Sequence, residues 1–129
     1  MSKRSITVIP GDGIGPSIID AALKIMDHAG CDFHYEYADA GLVAMEKHGE
    51  LLPESTLDQI EKNKIALKGP LTTPIGGGFT SINVSLRKHF NLYANLRPVV
   101  SFEGTKSRFE NIDIVTIREN TEGMYCGAG

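Results

Sequence analysis

The N-terminal stretch predicts a strand, a glycine-rich turn, a helix and a second strand, and this order constrains the fold more than any other feature. The β-branched run Ile6–Ile9 stops at Pro10, which predicts a first buried strand. Apolar residues then recur with helical spacing from Pro16 to Ala29, and residues 33–37 alternate large apolar with polar groups. Because a strand–helix–strand unit favours a parallel sheet with helical crossovers, we expect an α/β fold.

The turn after the first strand, Gly11-Asp-Gly-Ile-Gly-Pro16, invites comparison with a dinucleotide-binding loop. It lacks the third glycine of the G-x-G-x-x-G spacing, and Pro16 occupies a position near the helix start that proline favours. The pattern therefore argues against a Rossmann phosphate loop at this turn.

A segment rich in glycine and proline, residues 68–87, carries the side chains that look most like a binding site. Lys68 ends a short apolar run that predicts a buried strand. The prolines and glycines between Gly69 and Thr80 predict a loop, and a helix is expected from Ser81 onward. The residues expected on the apolar side of that helix are Val84, Leu86 and Phe90.

The start of the same helix suits a small polyanionic ligand. Asn83 and Arg87 are four residues apart and so share one face, close to Ser81. A hydroxyl, an amide and a guanidinium aimed at a loop are groups that bind carboxylates or phosphates. The simpler interpretation is that Ser81 caps the helix and Arg87 is a solvated charge, and that interpretation fits many helices with this pattern.

Two further strands are expected in the C-terminal part of the chain. Residues Leu92–Val100 predict a strand-like or irregular crossover that is broken at Pro98. Residues 101–111 predict a loop or a hairpin arm, and Asp113–Ile117 predicts a clear strand that ends at Arg118.

Four cations stand at positions that look functional: Lys68, Arg87, Arg97 and Arg118. Three arginines that converge on one pocket would suit a ligand with several carboxylates, because each guanidinium can bind one carboxylate with two parallel hydrogen bonds. The phenol of Tyr125 could act as an acid near such cations, which would lower its pKa.

Composition excludes several functional classes. A net charge of -3 argues against a nucleic-acid partner, and no apolar run reaches the length that spans a membrane. The N-terminus is basic but continues directly into a strand, unlike a signal peptide. Cys31 and Cys126 have no metal-type spacing, so two free thiols in a reducing compartment are expected.

Four motifs, in this order along the chain, resemble the isocitrate dehydrogenases within the β-decarboxylating hydroxyacid dehydrogenases. They are Gly11-Asp-Gly-Ile-Gly-Pro16, the Lys68 loop with its Ser-x-Asn-x-x-x-Arg helix, Leu92-Tyr-Ala-Asn-Leu-Arg-Pro98 and Arg118-Glu-Asn-Thr-Glu-Gly-Met-Tyr125. The resemblance covers essentially the whole chain and implies a non-Rossmann α/β fold in which a large and a small domain share a central cleft. It also implies that this is the N-terminal third or so of such an enzyme, with residues 1–92 in the large domain and 93–129 in the small domain.

The resemblance implies a role for each matching residue. The matching positions that would bind isocitrate are Ser81, Asn83, Arg87, Arg97 and Arg118. Tyr125 would be the catalytic acid that protonates the enol after decarboxylation. Thr72, Leu71, Thr73 and Ile14 would lie at the nicotinamide cofactor, and Lys68 would belong to the same active-site loop.

The implied reaction is the oxidation of isocitrate by a nicotinamide cofactor, followed by metal-assisted decarboxylation to 2-oxoglutarate, a step of the tricarboxylic acid cycle. Mg²⁺ or Mn²⁺ is expected, with no metal ligand in this segment. The metal aspartates and a second catalytic lysine would come from later sequence and from the second subunit of a homodimer, so the segment alone is expected to be inactive.

Two kinds of alternative remain: another dehydrogenase of the same family, and a non-catalytic subunit. Isopropylmalate dehydrogenases carry apolar residues in place of Ser81 and Asn83, and homoisocitrate dehydrogenases generally lack that pairing, so isocitrate is favoured. Non-catalytic regulatory subunits tend to lose the arginine at Arg97. Thr121-Glu122-Gly123 and the Tyr-Ala-Asn segment resemble the NAD-dependent branch, so NAD is expected over NADP, in the cytoplasm or, in a eukaryote, the mitochondrial matrix.

Overall fold

The computed structural model describes residues 3–72 and 81–123, which belong to two compact units, Met1–Ile82 and Asn83–Gly129. The elements of the first unit are β1 Arg4–Ile9, α1 Gly15–His28, β2 Phe33–Tyr37, α2 Leu42–His48, α3 Glu54–Asn63 and β3 Ala66–Lys68. Helix α4, Ile82–His89, begins at the boundary, and β4 Ala94–Val100 and β5 Asp113–Glu119 follow in the second unit. The assignment of residues 1–92 and 93–129 to a large and a small domain stays a prediction.

The first unit contains a parallel sheet in the order β2-β1-β3. Ile6 of β1 pairs with Tyr35 of β2, and Val8 pairs with Leu67 of β3. Helix α1 connects β1 to β2, so the predicted strand–helix–strand unit and its parallel pairing are confirmed.

A small apolar core forms where α1 covers β1. Ile6 and Val8 of the central strand are buried together with Ile19 and Leu23 of α1, which lie four residues apart on one helix face. Burying each such side chain contributes about 1.5–3 kcal/mol relative to leaving it in water. The predicted burial of the first strand is therefore confirmed.

A polar network joins α3 to the sheet beneath it. Asn63, the last residue of α3, donates from Nδ2 to Thr7 Oγ1 at 3.0 Å and to Glu36 Oε2 at 3.2 Å. Lys62 also donates to the Glu36 carboxylate. The hydrogen bond from Asn63, followed by the one from Lys62, lowers the pKa of Glu36. Thr7 is fully buried, and its hydroxyl both accepts from Asn63 and donates to the Gln59 carbonyl oxygen at 3.2 Å.

The run before Lys68 was predicted to form a buried strand; the strand is present, but it is not buried. Strand β3 exists, but Ala66 is exposed and Leu67 and Lys68 are half-buried. The physical reason is its place in the sheet: β1 takes the centre, and β3 is an edge of the sheet that the described residues form.

The second unit is built on an antiparallel ribbon of β4 and β5, joined by residues 101–112, where a loop or hairpin arm was predicted for 101–111. The expected break at Pro98 was wrong, because β4 runs through Pro98, which pairs with Val115. Proline is tolerated there because each strand of a two-stranded ribbon has an outward edge on which a missing N–H costs no ladder bond. Strand β5 is confirmed and extends to Glu119.

Helix α4 starts directly after Ser81, as expected. Leu86 is buried, whereas Val84 and Phe90 are only half-buried, and the sequence reading missed buried Ile82. In the described part of the chain no helix is both long and apolar enough to cross a membrane.

Candidate active site

Two loops of the first unit lie side by side at the carboxyl ends of β1 and β3. The two strands are parallel neighbours, so the loops that follow them leave the same edge of the sheet. The Gly69 amide donates to Ile9 O at 2.8 Å, and the Asp12 amide donates to Pro70 O at 2.8 Å. The glycine-rich turn and the Lys68 loop are therefore one hydrogen-bonded structure.

This close approach explains the first glycine of the turn. Gly11 has φ +80°, a backbone conformation that residues with a side chain rarely adopt. A Cβ there would also collide with the carbonyl oxygen of Pro70. The turn needs glycine at this position because the backbone of Pro70 packs directly against it. This packing role differs from that of a glycine that makes room for a phosphate.

Asp12 is a buried carboxylate, 7% exposed, that binds three backbone amides from two other segments. Its Oδ2 accepts from Thr72 N at 2.7 Å and from Leu42 N at 3.2 Å, and its Oδ1 accepts from Val43 N at 3.2 Å. Leu42 and Val43 begin α2, whose preceding Gly41 has no side chain to cap the helix. Asp12 supplies the capping oxygen from outside the helix, favourably placed for the helix dipole.

Four predicted site residues lie on these two loops. Ile14 is 69% exposed at the start of α1, and Thr72 is exposed beside half-buried Leu71. Lys68 ends β3 and donates from Nζ to the Gly69 carbonyl oxygen at 2.7 Å. The structure thus gathers the predicted cofactor residues that it describes at one edge of the sheet, and Thr73 lies outside the described residues.

A polar face of the β4–β5 ribbon carries two of the predicted arginines. Asn95 pairs with Arg118, and Arg97 pairs with Thr116. Because directly opposed residues and residues two apart share a face, all four side chains stand on the same side of the ribbon. Arg97 Nε donates to Asn95 Oδ1 at 3.1 Å. Two guanidinium groups on one exposed face form a cationic surface that is suited to carboxylates.

The remaining predicted residues lie on or beyond helix α4. Asn83 and Arg87 share one face of the helix and are both half-buried, and Ser81 is half-buried just before it. The convergence of Arg87 with the two ribbon arginines stays a prediction. Tyr125, the predicted acid, lies outside the described residues.

The turn after β5 is held by a carboxylate beside Arg118. Glu119 accepts from Thr121 N at 2.7 Å and from Glu122 N at 2.8 Å. The hydrogen bond from the Thr121 backbone is the main cause that lowers the pKa of the Glu119 carboxyl. These hydrogen bonds hold the backbone that follows β5 in one conformation, immediately after Arg118.

Sequence reasoning missed two residues that organise these sites, Asp12 and Asn95. For Asp12 the available signal was an acidic residue between two glycines directly after a buried strand. For Asn95 the signal was its spacing of two from Arg97, which places both on one face of any strand.

Two other features of the described chain do not add to the site. Within residues 3–72 and 81–123, no three His, Cys, Asp or Glu side chains are grouped to hold a metal ion. A cavity of about 480 Å³ lies in the loop between β4 and β5, and no predicted site residue within the described ranges lines it.

Comparison with known proteins decides the family. The family model described as "Isocitrate/isopropylmalate dehydrogenase" matches residues 5–129. This chain belongs to the isocitrate/isopropylmalate dehydrogenase family. A crystal structure of isocitrate dehydrogenase from Methylococcus capsulatus is 56% identical, with a TM-score of 0.88 over 96% of this chain and 37% of that one. The α/β fold expected for the family is thereby confirmed.

Curated members of the same family give a similar result. The mitochondrial NAD isocitrate dehydrogenase alpha subunit of Bos taurus is 47% identical over 96% of this chain and 34% of its own length. The mitochondrial NAD isocitrate dehydrogenase catalytic subunit 5 of Arabidopsis thaliana is 45% identical over 94% of this chain and 32% of its own. The chain thus spans about a third of the length of these isocitrate/isopropylmalate dehydrogenase family members.

Proposed function

We propose that this chain acts, within a full-length enzyme, as the N-terminal part of an NAD-dependent isocitrate dehydrogenase that oxidatively decarboxylates isocitrate to 2-oxoglutarate. The observation that carries the proposal is the exposed polar face of the ribbon, where Arg97 and Arg118 stand with Asn95. The similar proteins described above are named as isocitrate dehydrogenases, and the cationic face suits a ligand with carboxylates. Both observations support isocitrate over an uncharged substrate.

Substrate binding is assigned to five residues. They are Ser81, Asn83, Arg87, Arg97 and Arg118. Arg97 and Arg118 are diagonal cross-strand neighbours, which places their backbones on the order of 7–8 Å apart. That spacing lets each guanidinium engage a different carboxylate of one small ligand. The hydrogen bond that Arg97 Nε donates to Asn95 Oδ1 orients one guanidinium before the ligand arrives.

The cofactor is assigned to the paired loops of the first unit, through Ile14, Leu71, Thr72 and Thr73, with Lys68 in the same loop. The described residues fit such a role, because an exposed apolar side chain and an exposed hydroxyl stand on backbone held by three loop-to-loop hydrogen bonds. Bound NAD would accept a hydride from the substrate. The chain's own contribution is to hold the loops rigid and to present Thr72.

Metal dependence does not follow from the described residues, which offer no cluster of three suitable ligand side chains. Mg²⁺ or Mn²⁺ therefore stays an expectation from the family resemblance, and no step is assigned to it. The role of Tyr125 as the catalytic acid is proposed on the same ground. The homodimer is proposed too, although the bovine relative is named as one subunit of an enzyme. A mitochondrial location is proposed if the source is eukaryotic, and a cytoplasmic one otherwise.

The test compares substrates and cofactors on the full-length enzyme. Isocitrate, homoisocitrate and isopropylmalate are assayed with NAD and with NADP, with and without added magnesium. Isocitrate with NAD is expected to give the highest kcat/KM. Preference for another of these acids, or for NADP, would replace that part of the proposal. Binding of isocitrate with no turnover would mean a non-catalytic regulatory subunit.

Arginine variants connect that activity to the ribbon face. Arg97→Gln and Arg118→Gln are each expected to lower kcat/KM for isocitrate by roughly 100-fold, as loss of a charge-assisted contact predicts. Lys106→Gln is the matched control, because it removes an exposed cation from the β4–β5 loop and not from the polar face. Equal effects of all three substitutions would show that only net charge matters.

A further inference from the structure

Asp12 makes more contacts than helix capping requires. A carboxylate that only capped α2 would bind the first amides of that helix, which Asp12 does through Leu42 and Val43 at 3.2 Å each. Its shortest hydrogen bond, 2.7 Å, goes instead to Thr72 N in the loop after β3. One carboxylate therefore ties together segments that are 30 and 60 residues away in sequence.

The burial of Asp12 shows that this arrangement is built into the fold. The residue is 7% exposed, and a charge taken out of water destabilises a protein unless hydrogen bonds compensate. Three backbone amides provide that compensation. Gly41 completes the fit, because a Cβ at that position would collide with Asp12 Oδ2.

The side chain of Asp12 controls Thr72 separately from the rest of the loop. The neighbouring loop bonds, Asp12 N to Pro70 O and Gly69 N to Ile9 O, involve main-chain atoms alone, so they do not depend on the Asp12 carboxylate. Replacing the carboxylate with alanine is therefore expected to release Thr72 and the start of α2 while Gly69 and Pro70 stay anchored.

We propose that Asp12 is a positioning residue that holds the Thr72 backbone so that the exposed Thr72 side chain is presented to the nicotinamide cofactor. This inference rests on the proposed function of the loop. The carboxylate also links Thr72 to the start of α2, since its Oδ2 accepts from the amides of both Leu42 and Thr72. Asp12 itself lies too deep to act on the substrate and works through the backbone of Thr72.

The test uses Asp12→Ala and Asp12→Asn in the full-length enzyme, with amide hydrogen exchange and steady-state kinetics as separate measurements. Asp12→Ala is expected to speed exchange at Thr72 N by roughly tenfold or more and to raise KM for NAD by roughly tenfold, the effect of one lost charge-assisted bond. KM for isocitrate should change by less than about twofold. Asp12→Asn keeps one accepting oxygen in the same volume, so its effects should be intermediate.

Asn63→Ala is the matched control, because Asn63 is also a buried polar residue of the first unit and also makes hydrogen bonds between segments. It should destabilise the protein while leaving KM for NAD and exchange at Thr72 within about twofold of wild type. If Asp12→Ala changes KM for NAD no more than Asn63→Ala does, the proposal is overturned. If Asp12→Ala does not fold, Asp12→Asn decides by the same criterion.

The two proposals fail in different ways. An unmodified enzyme that does not reduce NAD with isocitrate would contradict the proposed function, while exchange at Thr72 would still report whether Asp12 holds that amide. Normal activity with unchanged exchange at Thr72 in both Asp12 variants would contradict the positioning role alone.

Discussion

The paired loops of the first unit and the ribbon of the second unit bear predicted site residues in opposite surroundings. In the loops the backbone is fixed by contacts between distant segments, with Asp12 buried at their centre. In the ribbon, β4 and β5 are exposed along almost their whole length, and order comes from the register between two neighbouring strands. The loops therefore depend on tertiary packing, whereas the polar face of the ribbon depends on local pairing.

The substitutions Leu23→Ala and Leu96→Ala test this difference, and they are expected to differ most in their effect on stability. Leu23 is 6% exposed in the core of the first unit, and its truncation should lower the free energy of unfolding by about 3–4 kcal/mol. Leu96 is 63% exposed in β4, and the same change should lower it by less than about 1 kcal/mol. Urea unfolding of the full-length enzyme measures both values. Equal losses would break the comparison, since they would mean that the ribbon is covered.

Gly11→Ala and Gly104→Ala separate backbone strain from close packing. The two glycines have nearly the same φ, +80° and +81°, so alanine should cost each about 1–2 kcal/mol of conformational strain. A Cβ at Gly11 would also collide with the Pro70 carbonyl, whereas a Cβ at Gly104 would have no described atom within 4 Å apart from those of the glycine and its two chain neighbours. Unfolding measurements should show a loss at Gly11 larger by about 1–2 kcal/mol. Equal losses would show that the two loops are not clamped together.

Glu36→Gln and Glu119→Gln give the smallest expected effect and compare the two units by pH. Both carboxyls have a lowered pKa, Glu36 through Asn63 and then Lys62, and Glu119 mainly through the backbone of Thr121. A carboxyl whose pKa is lower in the folded state stabilises that state above its ordinary value of 4.5. The contribution is lost as the pH falls through the lowered value.

The two carboxyls should differ in what they stabilise. Glu36→Gln is expected to flatten the fall in global unfolding free energy below pH 4.5, because Glu36 joins β2 to α3. Glu119→Gln should instead speed amide exchange only at Thr121 and Glu122, whose amides it binds. A global effect of Glu119→Gln equal to that of Glu36→Gln would contradict this local assignment.

Much of the fold was predictable because its signals are local. The β-branched run of β1 indicates a strand buried on both faces, whereas the helical periodicity of α1 and the alternation of β2 each indicate which face of one segment is apolar. The strand containing Arg97 was predicted with a false break, because proline excludes a strand from a sheet interior but not from a two-stranded ribbon. The predicted burial of β3 failed because burial depends on which strand is central.

The candidate sites divide in the same way. Sequence by itself determined the family motifs and contains the spacing of two that puts Arg97 and Asn95 on one face of a strand, because such features lie within one segment. Only the tertiary structure decided that Asp12 binds Thr72 across 60 residues, and that Gly11 is required by Pro70. Those contacts join separate segments at a shared sheet edge, and no periodicity within either segment encodes the distance between them.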